Sequence, residues 1–270
     1  MGKRQGIGLY GIIGHPVGHS LSPHMHNAAF RALGIPAFYA PFDVTDLEGA
    51  MRGVRALGIK GLSVTVPHKE AIIKYLDLVD KVARKIGAVN TVINRDGTLS
   101  GTNTDWIGAV KALKEHLSLK GKKALVIGAG GSAKAIVMGL VEEGARVHIA
   151  NRTQEKAEQL GDQFGCSCSG LDLPGGLEFD ILINATTVGM GEEDAMPVEE
   201  DVIRGADLVM DIVYSPLETR LLRVARGLGK VTVNGLKMLL YQAVAQFELW
   251  TGVDAPIEVM ENALKEAVGA

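Results

Sequence analysis

Three stretches of the chain carry residue types that could do chemistry. HSLSPHMHN, residues 19 to 27, crowds three histidines and two serines into nine positions. It could hold a metal through His19, His24 and His26, run a serine nucleophile against a histidine base, or grip a polar ligand with Ser20 and Ser22 where a helix begins. A second set of polar residues closes apolar runs: Thr65 and Lys69 in SVTVPHK, Asn90 in AVNTV, Asn103 and Asp105 in GTNTD. Hydroxyls, amides, an ammonium and a carboxylate together suit a small ligand bearing several hydroxyls and a carboxylate. The third stretch is Gly128-Ala129-Gly130-Gly131-Ser132-Ala133, a GxGxxA pattern directly after the β-branched run KALVI.

That glycine pattern opens a βαβ unit of about thirty residues, the context in which it signals a dinucleotide site. Gly128 would permit the tight turn, Gly130 the close approach of a pyrophosphate, and Ala133 the packing of helix on strand, with helix N–H groups facing the anion. An NAD site usually has an acid at the end of the next strand, about twenty residues on. Here stands Asn151-Arg152-Thr153, with Lys156 close behind. An arginine suits a 2′-phosphate through charge-assisted bonds, so NADP is expected over NAD. S-adenosylmethionine is disfavoured for want of the same acid. The bland alternative is a Thr153 helix cap followed by solvated basic residues.

The histidine-rich stretch resolves toward the third reading. His24 and His26, two apart on a helix, point to different faces, and no carboxylate or cysteine shares the segment, so no metal is expected. No GxSxG elbow or partnered acid supports a serine nucleophile. Ser22-Pro23 has the chemistry of a helix start, Ser22 as N-cap and Pro23 at the first helical position. An anion there would meet two hydroxyls and the positive end of a helix dipole. His68, beside Lys69, reads as a solvated loop histidine.

The elements that must position these groups alternate. IGLYGIIG, AFYAPFDV and GLSVTV read as strands separated by helices at Ser22 to Leu33 and Asp46 to Leu57, a βαβαβ series. Short helices at Lys69 to Tyr75 and Asp80 to Ile86 precede AVNTVIN and TLSG, joined by the turn Arg95-Asp96-Gly97. A helix from Asp105 to Leu117 leads into a second series of strands, KALVIGAG, ARVHIANR, FDILINAT and ADLVMDIV. The fold class is therefore α/β, with mainly parallel sheets in two domains, the second of Rossmann type. Periodicity leaves the last helices, Lys237 to Trp250 and Pro256 to Val268, open to either domain.

Composition narrows the partners. The 270 residues carry a net charge of −3, with 47% apolar and 22% charged residues. That balance gives no reason to expect nucleic acid or an anionic membrane. The N-terminal MGKRQG is basic, but the apolar run after it is short and glycine-broken, a strand rather than a signal peptide or span. The only cysteines, Cys166 and Cys168, lie before a Gly/Pro-rich stretch without two further ligands for zinc, and read as reduced cytosolic thiols.

HSLSPHMHN, VTVPHK, AVNT, GTNTDWIG, GAGGSAKA, NRT, NATTVGM, DIVYSPLETRLL and NGLKMLLYQA, in this order over nearly the whole chain, resemble the shikimate dehydrogenase family. The resemblance implies reversible NADP-linked reduction of 3-dehydroshikimate to shikimate in aromatic amino-acid biosynthesis. It implies Lys69 and Asp105 as the catalytic pair, and substrate contacts at Ser20, Ser22, Thr65, Lys69, Asn90, Asp105, Tyr214 and Gln242. Cofactor contacts carry over to residues 128–133, Asn151, Arg152, Thr153 and Lys156, and further to Thr186, Val213, Gly235 and Met238. It also implies a substrate domain of residues 1–104 with 240–270, a cofactor domain of 105–239, a cytoplasmic monomer or homodimer, and a small molecule as partner. Ser63 departs from the family, which commonly has Asn there, and reads as a serine capping a strand end. A quinate or quinate/shikimate dehydrogenase would share nearly all these residues. A non-catalytic NADP or metabolite sensor would not need both Lys69 and Asp105.

Overall fold

The computed structural model describes residues 6–173, 177–191 and 195–269. The basic residues 1–5 and the Gly/Pro-rich residues 174–176 lie outside the described residues. The chain divides into two units, one running up to Thr104 and resuming at Gln242, the other Asp105–Tyr241.

In the first unit, β1 (Gly8–Gly14), α1 (Ser22–Ala32), β2 (Ala37–Asp43), α2 (Leu47–Leu57) and β3 (Gly61–Val64) form the βαβαβ series. A 3-10 turn (Ala71–Tyr75), β4 (Leu78–Val79), α3 (Lys81–Ile86), β5 (Thr91–Arg95) and β6 (Thr98–Thr102) complete the N-terminal part. The sheet order is β2-β1-β3-β5-β6-β4. β1 pairs in parallel with β2 and β3, and β4 with β6, while β5 is antiparallel to both neighbours. Asp96 and Gly97, at φ 52° and 91°, form the two-residue turn between β5 and β6, where both central positions need positive φ. Asp46 and Asp80 cap α2 and α3 by accepting from the N–H groups of Gly49 and Ala83, and left-handed Gly58 and Gly87 end those helices.

Apolar side chains on α2, such as Met51 and Val54, pack with Leu62, Val64, Val92 and Leu99 of the sheet. The rings of Tyr10, His26, Phe30, Tyr39, Phe247 and Trp250 form a second, aromatic core. Gly61 makes room for it, since a Cβ there would lie 2.4 Å from Trp250 Nε1. That indole donates to the Val92 carbonyl at 3.0 Å, fixing the C-terminal helices to this sheet.

The second unit starts with α4 (Asp105–Lys114) and continues β7 (Lys123–Ile127), α5 (Gly131–Glu142), β8 (Arg146–Ala150), α6 (Gln154–Phe164) and β9 (Ser167–Ser169). After β10 (Ile181–Asn184), α7 (Glu200–Arg204), β11 (Leu208–Asp211), α8 (Arg220–Gly227) and β12 (Val231–Val233), α9 (Gly235–Thr251) carries the chain back into the first unit, which α10 (Ile257–Ala267) completes. The order β9-β8-β7-β10-β11-β12, all parallel, is that of the doubly wound dinucleotide-binding sheet. β4, β9, α7, α8 and β12 are additions to the elements read from the sequence, and the helix expected from Lys69 is only the 3-10 turn. The strands among them are two or three residues long, too short to show a period.

Candidate active site

Ile127, Ala150, Asn184 and Asp211 sit in register at the carboxyl ends of their strands, so the loops beginning at Gly128, Asn151, Ala185 and Ile212 leave the sheet along one edge. The strand order reverses between β7 and β10, the switch point at which open α/β sheets take ligands. Gly128 is at φ 119°, and a Cβ on it would press to 3.0 Å from the Ala185 carbonyl oxygen. Gly130 is exposed with open space where its Cβ would be, as the N-cap of α5 it makes no side-chain cap bond, and Ala133 is fully buried. The loop residues 128–133 thus form a cradle whose helix end can receive an anion, and they fit a dinucleotide pyrophosphate.

At the end of β8 there is no acid. Arg152, Thr153 and Lys156 are exposed, and Asn151 Nδ2 donates to the Thr153 carbonyl at 2.8 Å, which shapes the turn into α6. Thr153 occupies the N-cap position as the sequence suggested, but its side chain makes no cap bond.

Two buried residues that sequence reasoning did not single out support the other loops of this edge. Asp211 Oδ1 accepts from Asn184 Nδ2 and from the Val213 N–H, both at 3.0 Å, and its Oδ2 accepts from the Thr219 hydroxyl at 2.7 Å. Asn184 Oδ1 in turn accepts from the Thr186 N–H at 3.1 Å and the Thr186 hydroxyl at 2.7 Å. Thr186 and Val213 are thereby fixed to one polar core. Burial raises the Asp211 pKa to about 6 against the pull of its three donors. Tyr214, next along the β11 loop, is partly buried, and burial raises its phenol pKa. Gly235 and Met238 are buried on α9, and a Cβ on Gly235 would lie 2.4 Å from the Ile212 carbonyl oxygen. That approach alone requires glycine there. The signal for Asn184 and Asp211 was a polar side chain ending each of two fully apolar strands.

In the first unit Thr65, Lys69, Asn90 and Gln242 gather around the ends of β3 and β5, while Ser20 and Ser22 stand at the start of α1. The Thr65 N–H donates to the Ile13 carbonyl, the Val64 N–H to the Asn90 carbonyl, and the Val89 N–H to the Lys69 carbonyl. Thr65, Lys69 and Asn90 are thus neighbours through the backbone. Asn90 Nδ2 donates to Thr104 Oγ1 at 3.0 Å and reaches Gln242 Oε1 at 3.5 Å. Asn103 is buried and donates to the Ala88 carbonyl. Asp105, also buried, starts α4 in the second unit directly after Thr104.

The structure corrects three local expectations. The N-cap of α1 is Leu21, not Ser22; Ser22 is the buried first helical residue, and its N–H donates to Ser20 Oγ at 3.3 Å. Leu21 precedes the helix with helical backbone angles and can offer no side-chain cap bond, so the first turn lacks the serine cap that the sequence implied. His68 is buried rather than solvated, and its Nε2 hydrogen-bonds the Val44 carbonyl at 2.8 Å. Ser63 does not cap a strand end: it is buried within β3, accepts from the Tyr39 hydroxyl at 2.6 Å and donates to Gln246 Oε1 at 2.7 Å.

The histidines of α1 part company as their spacing indicated, with His24 exposed and His26 fully buried. His26 stacks on Tyr39 at 4.5 Å between centroids, and neither ring nitrogen has a hydrogen-bond partner among the described residues. Burial pulls its pKa down to about 3, against a smaller opposing pull from the nearby Gln246 amide. Among the described residues no group of three or more His, Cys, Asp or Glu side chains is arranged to hold a metal ion. Cys166 and Cys168 are free, and burial raises both thiol pKa values.

A polar cluster on one sheet and a dinucleotide cradle on another define the class, a two-unit α/β oxidoreductase linked to a nucleotide cofactor. Residues 12–92 match the shikimate dehydrogenase substrate binding domain, 110–202 the shikimate/quinate 5-dehydrogenase family and 235–265 the shikimate 5'-dehydrogenase C-terminal domain. A shikimate dehydrogenase (NADP(+)) of Pyrococcus abyssi is 48% identical over 97% of this chain and 98% of its own. A shikimate dehydrogenase crystallised with NADP+ superposes with a TM-score of 0.91 at 45% identity, covering 97% of this chain and 96% of that one. The Thermus thermophilus enzyme, solved with NADP(H) and shikimate, gives 0.90 at 40% identity over 97% of this chain and 100% of its own. The chain belongs to the shikimate dehydrogenase family.

Proposed function

We propose that the chain catalyses the reversible NADP-linked interconversion of 3-dehydroshikimate and shikimate, with Lys69 and Asp105 handling the proton. The observation that carries this reading is the pairing, in a member of this family, of an acid-free β8 end bearing Arg152 and Lys156 with the Thr65, Lys69, Asn90 and Gln242 cluster. Residues 128–133 would hold the pyrophosphate, Asn151, Arg152, Thr153 and Lys156 the adenosine end with its 2′-phosphate, and Thr186, Val213, Gly235 and Met238 the remainder. When bound, NADP supplies the hydride acceptor and NADPH the donor. Ser20 and Ser22 offer hydroxyls to the substrate carboxylate at the start of α1. Thr65, Asn90, Tyr214 and Gln242 orient the ring hydroxyls. Lys69 takes the proton of the reacting hydroxyl in oxidation and returns it in reduction, while Asp105 orients the ammonium and hydrogen-bonds the substrate.

Among the described residues no helix is long and apolar enough to cross a membrane. A cytoplasmic monomer or homodimer goes with the reading. Mixing the purified protein with shikimate and NADP+ should produce NADPH. Binding of both without any NADPH formed would make the chain a sensor on this scaffold instead.

A further inference from the structure

Asn90 stands at the end of a chain of buried side-chain hydrogen bonds whose direction two backbone groups fix. Gln246 Nε2 donates to the Asn90 carbonyl at 3.1 Å, and a carbonyl can only accept. The Gln246 amide therefore faces β5 with its nitrogen and Ser63 with its oxygen, so Ser63 must donate to Oε1 and receive its own hydrogen bond from Tyr39. The same Nε2 donates to Thr91 Oγ1 at 3.0 Å, which sends the Thr91 proton to Asn90 Oδ1 at 2.6 Å. At the far end the Thr104 N–H, which can only donate, reaches Asn90 Oδ1 at 2.7 Å. Asn90 Oδ1 thus faces converging donors, and its nitrogen is turned toward Thr104 and Gln242.

Tyr39, Ser63, Thr91 and Gln246 are all buried, Tyr39, Thr91 and Gln246 completely. Within the low dielectric of such a site, flipping any one amide would leave like groups facing each other, so the polarity is held as a unit. We propose that Ser63 and Gln246 are positioning residues for substrate recognition, acting through Thr91 to lock Asn90 with its amide nitrogen presented as a donor. The Asn90 N–H that reaches Gln242 Oε1 only at 3.5 Å is the one a ligand oxygen would take over, so Asn90 selects an oxygen that accepts, whether hydroxyl or carbonyl. Ser63 and Gln246 form one device, because the Ser63 hydroxyl is what satisfies the Gln246 oxygen on the side away from Asn90.

The inference rests on the reading of Asn90 as a substrate contact, and the test separates the two. Steady-state constants for shikimate and NADP+, with thermal midpoints, are measured for Asn90→Ala, Ser63→Ala, Ser63→Thr, Gln246→Met and the Ser63→Ala/Gln246→Met double variant. Gln246→Met should raise the shikimate KM roughly three- to twelvefold, the range for one misdirected hydrogen bond, with kcat lowered less and the NADP+ KM unchanged. Ser63→Ala should move the same constant in the same direction, Ser63→Thr should restore it, and the double variant should be no worse than Gln246→Met, since a chain is broken only once. Lower thermal midpoints with an unchanged shikimate KM in both single variants would make the network purely structural and overturn the proposal. If Gln246→Met does not fold, a normal KM in Ser63→Ala overturns it alone. An unchanged KM in Asn90→Ala would remove the substrate contact itself, and the inference with it.

Discussion

Oxidation of a secondary alcohol needs a group to take the hydroxyl proton as the hydride departs, and in the proposed reading that group is Lys69, whose backbone carbonyl accepts from the N–H of Val89, the residue before Asn90. Replacing Lys69 with Met keeps the length and much of the packing while removing the proton carrier. Lys69→Met should lower kcat by ~10²–10⁴, the usual worth of a general acid or base, with the fold and the NADP+ affinity retained. Stopped-flow or steady-state kinetics decide the matter, and near-normal kcat would take Lys69 out of the chemistry. Arg152 makes the matching prediction for the cofactor. It is exposed at the start of α6 where an acid would serve NAD, so Arg152→Asp should remove about 1.5–3 kcal/mol of interaction with the 2′-phosphate. The ratio of kcat/KM for NADP+ over NAD+ should then fall at least roughly tenfold. An unchanged ratio would leave Arg152 a solvated residue at a helix start.

At the scale of elements, α1 carries a histidine whose environment makes stability depend on pH. His26 is held neutral, with a folded pKa of about 3 against 6.5 for the free side chain. The unfolded chain therefore binds the proton more readily between those values, and the stability present above pH 6.5 is lost as pH falls through that window. Between pH 7 and pH 5 the loss assignable to His26 is about 2 kcal/mol. His26→Phe, which keeps an aromatic ring against Tyr39, should flatten that part of the profile in urea titrations at the two pH values. Parallel wild-type and variant profiles would show that His26 does not set the slope. This residue also shows where sequence pattern stops. Gly128, Gly130 and Ala133 are legible because each answers a local demand of turn, approach or helix packing, and the α1 histidines separate by helical period alone. The Ser63 links to Tyr39 and Gln246 span 24 and 183 positions, and no local period marks such partners. The burial of His68 escapes the pattern for the same reason, since its partner Val44 lies on a different loop.

On the whole molecule, strand alternation gave the α/β class because buried parallel strands read as apolar runs between helical periods. What it left open was the docking of the last helices, which depends on Trp250 meeting a glycine on β3 and the Val92 carbonyl. In the proposed reading the two units divide the work, polar recognition on one sheet and the dinucleotide cradle on the other, and only joint turnover tests that division. The decisive measurement is a matrix of kcat/KM values for the purified wild-type protein with shikimate or quinate and NADP+ or NAD+. The account predicts the highest value for shikimate with NADP+, at least roughly tenfold above either pair that contains NAD+, as a phosphate-binding arginine requires. No turnover of shikimate with NADP+, or a preference for quinate with NAD+, would contradict it.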